Sequence, residues 1–136
     1  MSARVLVVDD EPSLRRTLER ALRNLSLEVV SVGDPHLAYE MLEAAEYDLV
    51  LLDIHLPQMS GDALFIALVR RWPRLLGRVV LMTGDPWAIS PDWPPELLRC
   101  PVLAKPFTLD QLGSTVLSTL AAAEAPEGQR KRNGHG

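Results

Sequence analysis

Four short, mainly apolar segments of this chain each end at a polar residue. The segments and the residues that follow them are 4–8 before Asp9-Asp10, 49–52 before Asp53, 79–82 before Thr83 and 102–104 before Lys105. Segments of this kind, separated by helix-length stretches, are typical of buried strands in a parallel sheet. The carboxyl ends of parallel strands lie at one edge, which is where open α/β sheets bind ligands. The pattern therefore predicts that three carboxylates, a hydroxyl and an ammonium meet at that edge.

The whole chain fits an α/β pattern of five strand–helix repeats. The predicted strands are about 4–9, 28–32, 49–53, 78–82 and 101–104. Helix starts are indicated at Pro12, at Asp34-Pro35, near residue 62 and at the capping box Thr108-Leu109-Asp110-Gln111. The buried faces of the first and last helices are predicted to contain Leu14, Leu18, Leu22, Leu25, Leu109, Leu112, Val116 and Leu120. Charged side chains of the first helix, Arg15 among them, are expected to face solvent.

Residues 86–101 depart from this pattern because they contain five of the eleven prolines. Proline lacks a backbone donor and clashes with the preceding turn, so a long regular helix is excluded there. We expect the fourth helix to be shortened to a turn around 95–99. Trp87 and Trp93 are expected to fold onto the domain in place of the lost helix, the alternative being that they anchor a partner. Cys100 is expected to be a small core residue.

Composition limits the classes of function that the chain can have. A net charge of −4 argues against general binding to nucleic acid or to anionic membranes. No apolar stretch approaches the length of a membrane span, and the single cysteine excludes an internal disulfide and suits a reducing compartment. Because the first strand begins almost at the amino terminus, we expect no signal peptide. The sequence therefore predicts a cytoplasmic protein with no nucleic-acid or membrane partner.

The predicted edge cluster has a charge problem that a metal ion would solve. Asp9, Asp10 and Asp53 repel one another, and Lys105 offsets only one of their charges. Either one carboxylate takes up a proton, or a hard divalent cation joins the site, and oxygen ligands favour Mg²⁺ or Mn²⁺. A carboxylate beside such a metal can attack phosphorus, and an ammonium and a hydroxyl such as that of Thr83 can stabilise the transferring group.

The motifs at these strand ends resemble those of a response-regulator receiver domain of two-component signalling. They are VLVVDDEP, LVLLDIHLPQMSG, VVLMTG and VLAKPF, and the resemblance extends over about residues 4–121. It implies a flavodoxin-like, five-stranded parallel sheet in the order 2-1-3-4-5 with helices on both faces. We expect the receiver domain to occupy residues 1–123 and residues 124–136 to be a disordered tail.

The resemblance also implies a role for each residue of the cluster. Asp53 would be the phosphoacceptor, Thr83 the switch hydroxyl and Lys105 the contact to the phosphoryl group. The implied ligands of Mg²⁺, with Mn²⁺ as a possible substitute, are Asp9, Asp10, Asp53 and the backbone carbonyl of His55. The phosphoryl donor would be a sensor histidine kinase or a phosphotransfer protein, and the switched face would bind a downstream protein that the sequence does not identify. Such a domain is no independent enzyme, because it catalyses only its own phosphorylation and dephosphorylation.

Two departures from the family keep other functions open. Val102 stands where the family usually has Tyr or Phe, and the proline-rich stretch replaces the fourth helix. A pseudo-receiver that binds proteins without phosphorylation is therefore one alternative. A phosphatase of the haloacid-dehalogenase type is another, although that chemistry wants an acid where this chain has His55. The resemblance places His55 and Asp85 at positions where side chains of the family influence the rate of hydrolysis. Judged by its residue type alone, His55 is expected to be a solvated imidazole in a loop.

Overall fold

The computed structural model describes residues 2–125 and contains a five-stranded, all-parallel sheet. The strands are β1 (Arg4–Val8), β2 (Glu28–Val32), β3 (Leu49–Asp53), β4 (Val79–Thr83) and β5 (Val102–Ala104). They are arranged in the order β2-β1-β3-β4-β5, which confirms the predicted topology. The strand bounds agree with the predicted ones to within one residue. Successive strands are added on one side of β1 for β2 and on its other side from β3 onward, so the crevice at the carboxyl edge opens between β1 and β3.

The helices lie on both faces of the sheet. They are α1 (Pro12–Arg23), α2 (Pro35–Ala44), α3 (Gly61–Arg71), α4 (Pro95–Leu98) and α5 (Leu109–Glu124), and short 3-10 turns cover Pro73–Leu75 and Pro86–Ala88. None of the helices described between residues 2 and 125 is long and apolar enough to cross a membrane. The predicted tail is described only up to residue 125, so residues 126–136 lie outside the described residues.

Alternate residues of the central strands build two separate cores, as expected for a sheet buried on both faces. The core on one face contains Leu6, Val8, Val50, Leu52, Ala38, Leu42, Leu64, Leu68 and Leu97. The core on the other face contains Val5, Val7, Leu49, Leu51, Leu18, Leu22, Leu112, Val116 and Leu120. Thus α2, α3 and α4 cover one face while α1 and α5 cover the other, and the rigid centre holds the strand ends in place.

Two of the predicted core leucines are exposed. Leu25 has 36% of its surface accessible and Leu109 has 63%. Leu25 lies beyond the end of α1 at Arg23, and Leu109 is the first residue of α5, after its cap at Thr108. The prediction was wrong at both positions. An apolar stripe faces the sheet only within the helix, and Leu25 lies after α1 has ended while Leu109 lies in the first turn of α5.

The proline-rich segment is rebuilt around one buried leucine. The shortened fourth helix is confirmed, since α4 has a single turn, and its Leu97 is only 1% exposed. Trp93 packs partly buried against the core, but Trp87 is 94% exposed, so the expectation that both tryptophans fold onto the domain was wrong for Trp87. The 3-10 turn begins at Pro86, only three residues beyond Thr83, and leaves the indole of Trp87 outside the fold.

Cys100 has the packing role that its residue type predicted. It lies partly buried against the same core, and its Sγ donates a hydrogen bond to the Glu96 carbonyl at 3.6 Å. Burial raises the pKa of the Cys100 thiol to about 12. The thiol therefore stays protonated near neutral pH and behaves as a small apolar side chain.

Candidate functional site

The carboxyl edge of the sheet brings the three predicted carboxylates together. Asp9 directly follows β1, and Asp53 is the last residue of β3, its neighbour in the sheet. One carboxylate oxygen of each of Asp9, Asp10 and Asp53 lies within 4.8 Å of the others. Asp9 and Asp53 are buried, at 0% and 3% exposure, whereas Asp10 is exposed. The cluster therefore consists of two buried carboxylates and one carboxylate that is open to solvent.

Lys105 joins two of these carboxylates. Its Nζ donates to Asp9 Oδ2 at 2.7 Å and to Asp53 Oδ2 at 3.3 Å. Lys105 follows β5, and its backbone N–H donates to the Thr83 carbonyl. This hydrogen bond holds the Lys105 backbone beside the cluster. The Lys105-Pro106 peptide bond is cis. Burial by itself lowers the pKa of Lys105, but the hydrogen bond to Asp9 and the charges of both carboxylates outweigh it and raise the pKa overall. Lys105 is therefore a permanent ammonium.

The negative charge of Asp53 is unfavourable in the metal-free site. Burial raises its pKa above the ordinary value, and the nearby charge of Asp9 acts in the same direction. The His55 backbone N–H, which donates to Asp53 Oδ1 at 2.9 Å, and the Lys105 ammonium lower the pKa only in part, so the net shift is upward. Asp53 therefore gains from any additional positive charge at the site.

The donor set fits a hard divalent cation. Three carboxylates and one ammonium leave two negative charges in a small volume, which one divalent ion would neutralise. The ligands are all oxygen atoms, and the exposed Asp10 leaves room for the waters that Mg²⁺ usually keeps. Asp9, Asp10 and Asp53 would hold the ion, and the ion would supply charge neutralisation for an incoming phosphoryl group. The predicted contribution of the His55 carbonyl stays a prediction.

The Thr83 hydroxyl lies in a hydrogen-bonded group beside the carboxylates. Thr83 is fully buried as the last residue of β4. Its Oγ1 lies 2.9 Å from both the backbone N–H and the carbonyl of Asp85, and 2.7 Å from Nε2 of His55. Among residues 2–125 the hydroxyl makes no hydrogen bond to Asp53 or Lys105. The predicted switch hydroxyl is thus near the site but directed to other partners.

His55 and Arg15 have contacts that the sequence did not indicate. The His55 ring is exposed, yet it is bonded to Thr83 and is not simply solvated, because β3 and β4 pair up to Asp53 and Met82 and bring the following loops side by side. Arg15, expected to face solvent, donates from Nη1 to the Asp9 carbonyl at 2.7 Å. A Cβ at Gly33 would lie 2.9 Å from that nitrogen. A side chain at position 33 would therefore crowd Arg15.

Comparison with known proteins identifies the family to which the fold belongs. The sequence model of the response regulator receiver domain matches residues 5–91. CpdR, a response regulator receiver protein of Brucella abortus, is 32% identical over 122 residues, which cover 88% of this chain and 98% of CpdR. The alkaline phosphatase synthesis regulator PhoP of Bacillus subtilis is 27% identical over 135 residues, which cover 98% of this chain. This chain spans about half of PhoP, since the match covers 55% of it.

Solved structures give the same result. The response regulator TrrA of Thermotoga maritima, crystallised with Mg²⁺ and BeF, has a TM-score of 0.74 at 26% identity, covering 86% of this chain and 98% of TrrA. A response regulator receiver protein of Sinorhizobium medicae has a TM-score of 0.72 at 28% identity, covering 90% and 98% of the two chains. The parallel sheet with an acidic carboxyl edge is thus a receiver fold. The chain belongs to the response regulator receiver domain family of two-component signalling.

The electrostatics of Asp53 predict an unusual effect of its removal. We expect Asp53→Asn to raise the free energy of unfolding of the metal-free chain at pH 7, by about 1 kcal/mol, because it removes a buried charge from a repulsive cluster. Since the pKa of Asp53 is raised on folding, the folded chain binds a proton more readily than the unfolded chain. Relative to the variant, the wild type should therefore gain stability as the pH falls through that raised pKa towards the ordinary one, until the advantage of the variant disappears.

Urea unfolding in EDTA between about pH 4 and pH 8 measures this effect. Asp92→Asn, which removes an exposed carboxylate, is the matched control and should change stability little at any pH. Added Mg²⁺ should stabilise the wild type more than the Asp53→Asn variant. An Asp53→Asn variant that is less stable than the wild type at pH 7 without metal would contradict this account of the cluster.

Proposed function

We propose that this chain accepts a phosphoryl group on Asp53 in an Mg²⁺-dependent reaction and thereby switches a protein-binding surface. The observation that carries the proposal is the Lys105 ammonium, which contacts both Asp9 and Asp53 while Asp10 lies within the same cluster. This arrangement supports the proposal, since the Asp53 carboxylate would act as the nucleophile beside a positive charge and three carboxylates that could hold a divalent ion. These are the groups that phosphoryl transfer requires.

In the proposed reaction Asp53 attacks the phosphorus of a phosphohistidine. A P–N bond breaks and an O–P bond forms, which gives an acyl phosphate, and the histidine leaves with a proton. Lys105 would orient the acceptor oxygen and stabilise charge on the transferring group. Attack of water on phosphorus later releases inorganic phosphate and regenerates the carboxylate. The chain would catalyse only these two steps on itself.

The proposed partners follow from this chemistry. The donor is a sensor histidine kinase or a phosphotransfer protein, and the output is a downstream protein of unidentified kind. Some relatives are named as DNA-binding regulators, such as NtrC of Azospirillum brasilense, but this chain matches only 26% of that protein. With a net charge of −4 we propose no nucleic-acid or membrane partner for the receiver domain, which we assign to residues 1–123 and to the cytoplasm.

A pseudo-receiver is the second candidate, and Val102 is the residue that favours it. Val102 is 40% exposed, short and stiff at χ1, so it is a poor carrier of movement from the site to the surface. The complete set of three carboxylates and a lysine argues against this candidate, because a pure binding module has no need to bury such charges. We therefore favour the phosphorylated switch.

Phosphorylation of Asp53 is the first prediction of this proposal. With Mg²⁺ and acetyl phosphate the chain should gain the mass of one phosphoryl group, and Asp53→Asn should abolish the gain because Asp53 is the proposed acceptor and an amide does not form the acyl phosphate. Intact-mass spectrometry measures it. Asp92→Asn is the matched control and should label like the wild type. Full labelling of the Asp53→Asn variant would refute the assignment.

The second prediction concerns the output surface. Residues 84–100 directly follow Thr83 and contain only one turn of α-helix, so few helical hydrogen bonds oppose their rearrangement. Phosphorylation should change the fluorescence of Trp87 and hydrogen exchange across this segment, while exchange in α1 and α2 stays nearly constant. Trp87→Phe identifies the contribution of Trp87 against those of Trp72 and Trp93. Unchanged exchange in residues 84–100 on full phosphorylation would favour the pseudo-receiver.

A further inference from the structure

The buried Thr83 hydroxyl has one partner that is distant in the chain. The contacts to the backbone of Asp85 span two residues and belong to a local turn that any threonine could make there. The contact with His55 Nε2, at 2.7 Å, spans 28 residues and joins the loop after β3 to the last residue of β4. His55 therefore connects the residue that follows the acceptor strand to the hydroxyl on the neighbouring strand.

These contacts use the single proton of the hydroxyl. A threonine hydroxyl has one proton to donate, and here it already accepts from the Asp85 N–H. If the proton goes to the Asp85 carbonyl, His55 must donate from Nε2; if His55 accepts, the proton goes to the imidazole. In both tautomers the proton of Thr83 is directed within this group and away from the carboxylates.

A phosphoryl group on Asp53 needs that same proton. Its oxygens are strong acceptors beside a buried hydroxyl, and a hydroxyl that serves them must turn and release its present partners. The turn after Thr83 can follow the threonine, because Asp85 and its neighbours are exposed. The His55 backbone is held in place, because its N–H donates to Asp53 Oδ1 at 2.9 Å, so the ring could follow the hydroxyl only by rotation of its own side chain. The contact with His55 is thus the bond that opposes the turn.

We propose that the His55 side chain is a latch that holds the Thr83 hydroxyl away from Asp53 in the unphosphorylated chain. It is a positioning residue, since it acts through Thr83, and the inference rests on Asp53 being the phosphoacceptor. The latch favours the unphosphorylated arrangement, and its release frees an exposed imidazole beside the acceptor loop. Movement of the Thr83 hydroxyl would thereby change the surface around the His55 ring. This surface follows β3, whereas Val102 lies on β5, at the other side of β4.

The test is the affinity for beryllofluoride with saturating Mg²⁺, measured by calorimetry on the full chain. His55→Phe keeps an exposed ring but removes the polar atom, and it should bind beryllofluoride about fivefold more tightly, the equilibrium effect of one net hydrogen bond. His55→Gln, whose amide can replace Nε2, should return the affinity towards the wild-type value. His36→Phe is the matched control, because His36 lies exposed on α2 and pairs with Glu40. It should not change the affinity.

The latch must act through Thr83, and a double-mutant cycle tests this. In a Thr83→Ala background, His55→Phe should leave the affinity unchanged. In the unphosphorylated chain, Thr83→Ala should shift the NMR signals of the His55 ring and leave those of His36 in place. A weaker affinity of His55→Phe, an unchanged one, or the same gain without Thr83 would each overturn the latch. Failure of the wild type to bind beryllofluoride or take a phosphoryl group would instead refute the proposed function, and the latch with it.

Discussion

The contact of Lys105 with Asp9 and Asp53 is the interaction on which the rest of this site depends. Two buried carboxylates next to each other are costly, and the ammonium makes their burial possible. The contact also connects β5 at one edge of the sheet to β1 and β3 at its centre. A divalent ion among Asp9, Asp10 and Asp53 would complete the neutralisation, and in the proposed reaction the same positive charges would stabilise a phosphoryl group transferred to Asp53.

Much of this arrangement could be predicted because its signals are local. Apolar strands between helix-length segments fix a parallel sheet, and parallel strands bring Asp9, Asp53 and Thr83 to one edge. The prolines correctly predicted the loss of a long fourth helix. The exposed Leu25 and Leu109 were missed because periodicity continues past the helix ends, where it no longer reports which side chains face the sheet.

The contacts on which the proposed switch depends could not be predicted from the sequence. The contact between His55 and Thr83 depends on how two loops run after their strands have ended, and neither residue type indicates the other. Trp87 is exposed because a tight turn follows β4, which the prolines permit but do not specify. The residues of the site can therefore be predicted from the strand ends, whereas the contacts between the site and the surface can be seen only in the folded loops.

The central claim is that the three aspartates form one metal site next to the acceptor oxygen, and anomalous diffraction from crystals grown with Mn²⁺ tests it most directly. One strong anomalous peak should lie among the carboxylates of Asp9, Asp10 and Asp53, within about 2–2.5 Å of their oxygens. Crystals of the Asp10→Ala variant should show a weaker peak or none. A Mn²⁺ peak located away from this cluster, or full occupancy in the Asp10→Ala variant, would contradict the account.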